Sequence, residues 1–259
     1  MPKKKSASEQ VEYIDKQAFD VAKEKIIGKS HNDKGIGTLS EKTLHAVLKM
    51  YFEPDEDNHE VAIDGYFADI YNEHGIIEIQ TRQLNKLRDK LSVFLNEYQV
   101  RVVYPMPYEK YLSWIEPETG DITSRRKSPK RCSMYDAMFE LYKIKAFLKN
   151  PNLKVTLLLI DMEEYKLLNG WSYDKKRGSV RYDRVPVGIR KFVELDCPQD
   201  YMQFVPEGLE NGFTSADFAN AAHIDRQTAA SVLAMLNYME QVKRVGKTGN
   251  AYIYDIEEH

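Results

Sequence analysis

The sequence predicts an α/β (α+β) fold in two parts, with a mixed sheet flanked by helices in the first and a small helical domain in the second. The length of 259 residues suits two domains of ordinary size. Helix-like and strand-like patterns alternate up to residue 196, and two helical patterns followed by two short strands come after it. We therefore expect a lead-in helix and loop at 1–37, a larger domain at 38–196 and a smaller one at 197–259.

Composition excludes several classes of protein. With 42% hydrophobic and 30% charged residues and no apolar run of membrane-spanning length, the chain is expected to be a globular protein of the cytoplasm without a membrane partner. Cys132 and Cys197 form no CxxC pair, which argues against structural zinc and against a disulfide framework. The net charge of -3 does not indicate a nucleic-acid partner, so such a signal must be local.

Apolar spacing defines the elements of the larger domain. Apolar residues at i, i+3, i+4 and i+7 predict a first core helix after the lead-in helix of residues 9–27; they are Leu44, Val47, Leu48 and Tyr51. Residues 61–70 and 76–81 predict three short strands, followed by a helix at 84–98 and a strand that begins at Val100 and that Pro105 and Pro107 should end. The later elements are a hairpin at 114–124, a helix at 134–148 and a buried strand at 154–160.

Two acidic residues stand out in the predicted hairpin. If residues 72–75 form its loop, Tyr71 pairs with Ile76, and Asp69 then lies opposite Glu78 on the same face. Like charges at opposed positions destabilise a sheet unless solvent or a cation neutralises them. Mg²⁺ is bound by one or two carboxylates and keeps several waters, one of which can attack a phosphodiester.

Residues Thr38–Pro107 resemble the PD-(D/E)xK, or restriction-endonuclease-like, nuclease superfamily. The signature corresponds to Ala68-Asp69 and to Glu78-Ile79-Gln80, within the order helix, three strands, helix, strand. The resemblance implies a DNA endonuclease that uses Mg²⁺ or Mn²⁺, with Asp69 and Glu78 as metal ligands. It also implies catalytic roles for Gln80 and for Glu41, which matches the upstream helical acid of many members.

Gln80 departs from the lysine usual in this superfamily. An amide can orient water but cannot supply positive charge, and a basic group on the next helix, Arg82 or Lys86, could replace the lysine. Structural interpretations remain open: Glu78 and Gln80 alternate with isoleucines as in any half-exposed strand, and Glu41 follows Thr38 at the spacing of a helix-capping box.

The C-terminal part resembles the winged-helix family over Gln199–Ile256. A short helix capped by Thr214 or Ser215, a turn through His223, a longer helix from Asp225 and a two-stranded hairpin predict a helix-turn-helix with a wing. In this family the second helix reads the major groove and the wing contacts phosphate, which implies DNA contacts; the residues are Arg226, Gln227, Thr228, Ser231 and Lys247. Winged helices also mediate protein contacts, and this alternative stays open.

Two basic stretches suggest phosphate contact. The first contains Arg125, Arg126, Lys127, Lys130 and Arg131, and the second contains Lys175, Lys176, Arg177, Arg181 and Arg184. The alternative for each is a solvated loop.

Three hypotheses follow from these observations. The first is a Mg²⁺-dependent DNA endonuclease whose winged helix binds the site, with double-stranded DNA as partner and a second copy of the chain as a further candidate partner. The second is a nuclease-like DNA-binding regulator without catalysis, which Gln80 suggests. The third is a protein-interaction module, which the net charge favours and the clustered arginines disfavour.

Overall fold

The computed structural model of the chain describes residues 15–32, 42–129, 131–171 and 177–257. Glu41, Lys130, Lys175 and Lys176 lie outside the described residues. The helices are α1 Lys16–Asn32, α2 Lys42–Phe52, α3 Arg88–Phe94, α4 Met138–Leu141, α5 Ser215–Ala222 and α6 Arg226–Tyr238. The strands are β1 His59–Ile63, β2 Tyr66–Asn72, β3 Gly75–Ile79, β4 Val100–Ile115, β5 Arg126–Lys127, β6 Leu153–Trp171, β7 Arg177–Leu195, β8 Phe213–Thr214, β9 Val242–Thr248 and β10 Ala251–Ile256.

A mixed sheet forms the centre of the larger part of the chain. Its strand order is β1-β2-β3-β4-β6-β7, with β5 paired to β4. Strands β1 to β3 form an antiparallel meander, whereas β3 with β4 and β4 with β6 are parallel pairs. Short helical segments connect the parallel pairs, as such connections require. The predicted class of a mixed α/β sheet flanked by helices is confirmed.

Helices and sheet bury two apolar clusters. One contains Leu44, Val47 and Leu48 of α2 together with Phe19 of α1. The other combines the α3 side of the sheet with the C-terminal residues, so that Phe218 and Leu233 belong to the same cluster as Leu91. The sheet is therefore covered by apolar contacts on two sides, which keeps its central strands away from solvent.

The two prolines do not end β4, contrary to the sequence prediction. The strand continues to Ile115, with Pro105 paired to Leu158 and Pro107 to Ile160 of β6. Val103 accepts a hydrogen bond from Gln80 on the β3 side, and residues 105 and 107 face that side too because strand residues alternate. Since β3 ends at Ile79, neither missing N–H removes a ladder hydrogen bond.

Other predicted boundaries also change. The predicted helix 134–148 is a series of short helical turns that includes α4. Within the predicted helix 84–98, only α3 is a regular α-helix. The predicted strand 154–160 is instead the 19-residue β6, which pairs with the equally long β7. Beyond Met162 this ladder carries charged side chains, so apolar periodicity could not reveal it.

The C-terminal residues form a helix-turn-helix followed by a hairpin. Thr214 caps α5 through a reciprocal capping box with Asp217, and His223 adopts a left-handed conformation that ends the helix. Asp225 caps α6, and β9 and β10 are antiparallel, with β8 added to β10. No helix among the described residues is long and apolar enough to cross a membrane.

Gly75 is the residue on which the β2–β3 turn depends. Its φ is +106°, and a Cβ at this position would lie 2.4 Å from the carbonyl oxygen of Gln99. We expect Gly75→Ala to lower the free energy of unfolding by about 2–4 kcal/mol, because backbone strain and a clash with main chain act together. Chemical denaturation of the purified protein measures this change.

Gly65→Ala is the matched control. Gly65 has a φ of +83°, but a Cβ added to it would have no neighbouring atom within 4 Å, so only the strain of about 1 kcal/mol should remain. Equal losses of stability in the two variants would show that the contact with Gln99 does not constrain the turn.

Candidate functional site

A pocket of about 550 Å³ opens at the end of the β2–β3 hairpin. Its lining comes from α2, β2, β3, the segment before α3, α3 itself and β7. Its charged residues are Asp69, Glu78, Arg82, Lys86, Lys90 and Arg181, and His45 also lines it. The pocket therefore contains both carboxylates of the sequence motif and more basic than acidic groups.

The hairpin register brings Asp69 and Glu78 together. Tyr71 pairs with Ile76, as predicted, and Ile70 pairs with Ile77, which places Asp69 beside Glu78 at the open end of the hairpin. There the pairing changes, and the Ile79 backbone N–H donates to the Asp69 Oδ2 at 2.7 Å. The local interaction holds the aspartate carboxylate at the edge of β3.

Glu78 is a buried acid bound by a lysine. Its side chain is 2% exposed, and Lys90 Nζ donates to both carboxylate oxygens at 2.9 and 3.0 Å. Burial, and then the negative charge of Asp69, raise the pKa of Glu78 to about 7, although Lys90 opposes this shift. The carboxyl of Glu78 therefore titrates near neutral pH.

Asp69 has a different environment from Glu78. Its Oδ2 also lies 3.1 Å from the Nε2 of His45 on α2. Burial acts to raise the pKa of Asp69, but His45, the Ile79 N–H and Lys90 together outweigh burial and lower it. Of the two neighbouring acids, Asp69 is thus the one that stays ionised at lower pH.

Gln80 lines the same pocket, but its amide is engaged elsewhere. The Nε2 donates to the backbone carbonyls of Arg82 and Gln83, so the hydrogen bonds hold it on the chain that leaves β3. The amine that reaches a carboxylate of the motif comes from Lys90, one turn beyond the predicted Lys86. Arg82 and Lys86 line the pocket as well.

His45, Lys90 and Tyr182, which line this pocket, were not singled out from the sequence. Lys90 lies on the polar face of the predicted helix, where it shares i, i+4 spacing with Lys86, and this spacing alone does not distinguish the two lysines. His45 follows Leu44 on a helix whose apolar pattern gives no reason to single it out. Its contact with Asp69 depends on how α2 packs on the sheet.

Asp69 and Glu78 are the carboxylates of the pocket that could hold a divalent ion. Among the described residues, no group of three or more His, Cys, Asp and Glu side chains forms a metal cage. Asp69 and Glu78 provide two adjacent carboxylates, and Lys90 already contacts both oxygens of Glu78. Mg²⁺ and Mn²⁺ match such a donor set of carboxylate oxygens completed by water or phosphate.

Three of the described cations of the first basic stretch form ion pairs within the protein. Lys127 and Arg131 contact Glu109 at 2.7 and 2.6 Å, and Arg125 contacts Glu163 at 3.1 Å. Arg126 lies over the ring of Trp114 at 5.5 Å. These acidic partners reduce the positive potential of the stretch.

The predicted DNA-reading residues of α6 differ in exposure. Arg226 and Gln227 are exposed at the first turn, and Ser231 is half-buried with its hydroxyl donating to the Gln227 carbonyl. Thr228 is buried and its hydroxyl donates to Asp225 Oδ2 at 2.6 Å, so it is not exposed as a base contact requires. Thr228 instead completes the cap of the helix.

Lys247 lies on the exposed hairpin of the C-terminal part. Its Nζ is 4.6 Å from the centre of the Tyr252 ring, and the guanidinium of Arg244 is 4.3 Å from the same ring. This aromatic ring holds two cations side by side on the strand pair.

Comparison of the sequence with known proteins identifies one matching protein family. A family model described as "Domain of unknown function (DUF8091)" matches residues 42–196, which is 155 of the 259 residues. The chain is also 31% identical over 167 residues to an uncharacterized protein of Treponema pallidum (strain Nichols), and the match covers 64% of each chain. The chain thus spans slightly less than two thirds of that relative's length. No solved structure matches the chain.

The matched segment includes the carboxylate hairpin, α3 and all of β4 to β7. Because it covers more than half of the chain, this protein belongs to the DUF8091 family.

Proposed function

We propose that this protein is a Mg²⁺-dependent DNA endonuclease. The observation that carries the proposal is the pocket in which Asp69 and Glu78 lie side by side while Lys90 binds Glu78. Four basic side chains and two carboxylates line it, an excess of two positive charges that suits a phosphodiester. The order helix, three strands, helix, strand supports a restriction-endonuclease-like fold for this part.

The side chains of the pocket would have different roles in hydrolysis. Asp69 and Glu78 would hold the metal ion, which when bound supplies charge stabilisation and lowers the pKa of water. Lys90 places a positive charge beside Glu78, where the superfamily's lysine is replaced by Gln80. His45, hydrogen-bonded to Asp69, orients that carboxylate from the α2 side.

The C-terminal part is proposed to be a winged-helix domain that grips double-stranded DNA. The helix-turn-helix, the exposed Arg226 and Gln227 and the cationic hairpin around Tyr252 support this assignment. Arginine and glutamine can form paired hydrogen bonds with guanine and adenine edges, whereas Lys247 suits a phosphate.

A DNA-binding regulator without catalysis is the second candidate. Two observations favour it: Gln80 replaces the usual lysine and is bound to backbone carbonyls, and Lys90 already neutralises Glu78 without a metal ion. Metal binding and DNA cleavage distinguish the two functions.

We expect Mg²⁺ to raise the melting temperature of the wild type and to support nicking of plasmid or genomic DNA. Asp69→Asn should abolish the metal-induced gain and lower cleavage by at least about 100-fold, because one of two ligands loses its charge. Calorimetry with Mg²⁺ or Mn²⁺ and gel assays on methylated and unmethylated DNA measure both effects.

Asp64→Asn is the control for this experiment. Asp64 is exposed, has a φ of 48° in the β1–β2 turn and lies outside the pocket, and asparagine tolerates that conformation. The control should bind metal and cleave as the wild type does. Absence of divalent-ion binding with DNA present, together with no nicking by the wild type, would favour the regulator instead.

The pH dependence of stability tests the electrostatics of Glu78. Its pKa rises from 4.5 to about 7 on folding, so between these values the folded protein binds a proton that the unfolded chain has released. The free energy of unfolding should therefore fall by about 3 kcal/mol as pH rises through this window, because of this group. Below pH 4.5, Glu78 should not change the free energy of unfolding with pH. Mg²⁺ should bind more tightly over the same window.

Urea unfolding in EDTA between about pH 4.5 and pH 8 measures this component as the difference between wild type and Glu78→Gln. Glu194, whose side chain is 58% exposed on β7, provides the control Glu194→Gln. Parallel pH profiles for wild type and Glu78→Gln would contradict the raised pKa.

Two substitutions separate base reading from phosphate contact in the C-terminal part. Arg226→Ala should weaken binding to a preferred duplex by about 1–3 kcal/mol and reduce discrimination between sequences. Lys247→Ala should weaken binding to all duplexes alike and lower the salt slope by about one. Lys23→Ala on α1 controls for the loss of one positive charge.

Fluorescence anisotropy with labelled duplexes at several salt concentrations measures these effects. If Arg226→Ala and Lys247→Ala both behave like Lys23→Ala, the C-terminal part does not read DNA through these residues.

A further inference from the structure

A β-bulge in β7 brings two neighbouring side chains to the pocket. Tyr165 pairs with Asp183 and Lys166 pairs with Arg181, so Tyr182 is the additional residue between them. In a regular strand, consecutive side chains point to opposite faces, but Arg181 and Tyr182 both line the pocket of Asp69 and Glu78. Bulges redirect side chains in this way beside functional sites.

The charges around Arg181 are not balanced. Glu164, whose side chain is 4% exposed, is the acid that Arg181 Nε contacts at 3.2 Å. The same carboxylate also faces Lys110 Nζ at 3.5 Å and Lys166 Nζ at 3.6 Å. Three cations thus share one buried carboxylate, whereas Arg125 contacts Glu163 and Lys127 contacts Glu109. This cluster attracts a further anion.

Donors at the bulge also lack partners. Among the described residues, the buried Nη1 of Arg181 and the buried hydroxyl of Tyr182 have no hydrogen-bond partner. Buried donors without partners are costly, and they are expected where a ligand completes them. A guanidinium and a phenol hydroxyl are both suitable donors to phosphate oxygens.

We propose that Arg181 and Tyr182 form a phosphate-binding subsite for the DNA backbone, next to the phosphodiester held at Asp69 and Glu78. The inference rests on the proposed function for the identity of its ligand. The pocket then binds two phosphates of one polynucleotide, one at the acidic end of the pocket and one at the bulge. Its substrate class is a chain with consecutive phosphodiesters.

Binding of a short labelled duplex to the full-length protein in EDTA tests the subsite without any cleavage. Arg181→Gln should weaken binding about tenfold and lower the slope of log affinity against log salt by about one, because one phosphate contact is lost. Tyr182→Phe should weaken binding by a smaller factor and leave the salt slope unchanged, because it removes a neutral donor. Lys191→Gln, an exposed cation on the same strand, should change neither quantity.

Inorganic phosphate as competitor distinguishes the source of the anion. If phosphate displaces the duplex no better than chloride at the same ionic strength, the effect is one of ionic strength alone. That result supports a polynucleotide ligand. Displacement by phosphate beyond the chloride control, lost in Arg181→Gln, would overturn it in favour of a free-phosphate site.

The subsite and the nuclease can fail separately. If Arg181→Gln and Tyr182→Phe both bind DNA like Lys191→Gln, the subsite is refuted, even if Mg²⁺-dependent cleavage is observed. If the two variants bind DNA as expected but neither they nor the wild type cleave it, the phosphate subsite is supported and the protein is a DNA-binding regulator rather than a nuclease. Tyr182→Phe keeps the test decisive if loss of Arg181 beside Glu164 impairs folding, which thermal unfolding would reveal.

Discussion

The confinement of two carboxylates at one end of the β2–β3 hairpin is the constraint around which the rest of the site is arranged. Asp69 and Glu78 repel each other, and burial of Glu78 makes that repulsion stronger than it would be in water. The protein compensates from two sides, with Lys90 from α3 on Glu78 and His45 from α2 on Asp69. Both helices must therefore pack on the sheet before the hairpin's acids are stabilised.

This compensation gives the two acids different properties. Asp69 is held ionised by His45 and by the N–H of Ile79, whereas Glu78 takes up a proton near neutral pH. A cation with oxygen ligands would relieve the remaining repulsion more fully than Lys90 alone, because it can contact both carboxylates. The geometry thus links folding and protonation at a single place in the molecule.

Positive charge is distributed unevenly over the protein, and ion pairs with acidic side chains determine how much of it is available to bind an anion. Arg125, Lys127 and Arg131 belong to a basic stretch of the sequence but contact Glu163 or Glu109 in the folded protein. Arg181 belongs to a cluster with more cations than acids, and the bulge at Tyr182 directs it to the pocket. A run of basic residues along the chain therefore does not show which cations are already paired with acids in the folded protein.

The sequence by itself determined the mixed α/β class, the hairpin pairing of Tyr71 with Ile76 and the helix-turn-helix, with its first cap at Thr214 or Ser215, of which the structure shows Thr214. These features depend on local periodicity, turn composition and capping, all of which are encoded within a few residues. Only the tertiary structure decided that β4 continues through Pro105 and Pro107, because this depends on where β3 ends. It also decided that Lys90, His45 and Arg181 meet Asp69 and Glu78 at one pocket, since these residues come from separate elements whose packing no local pattern specifies.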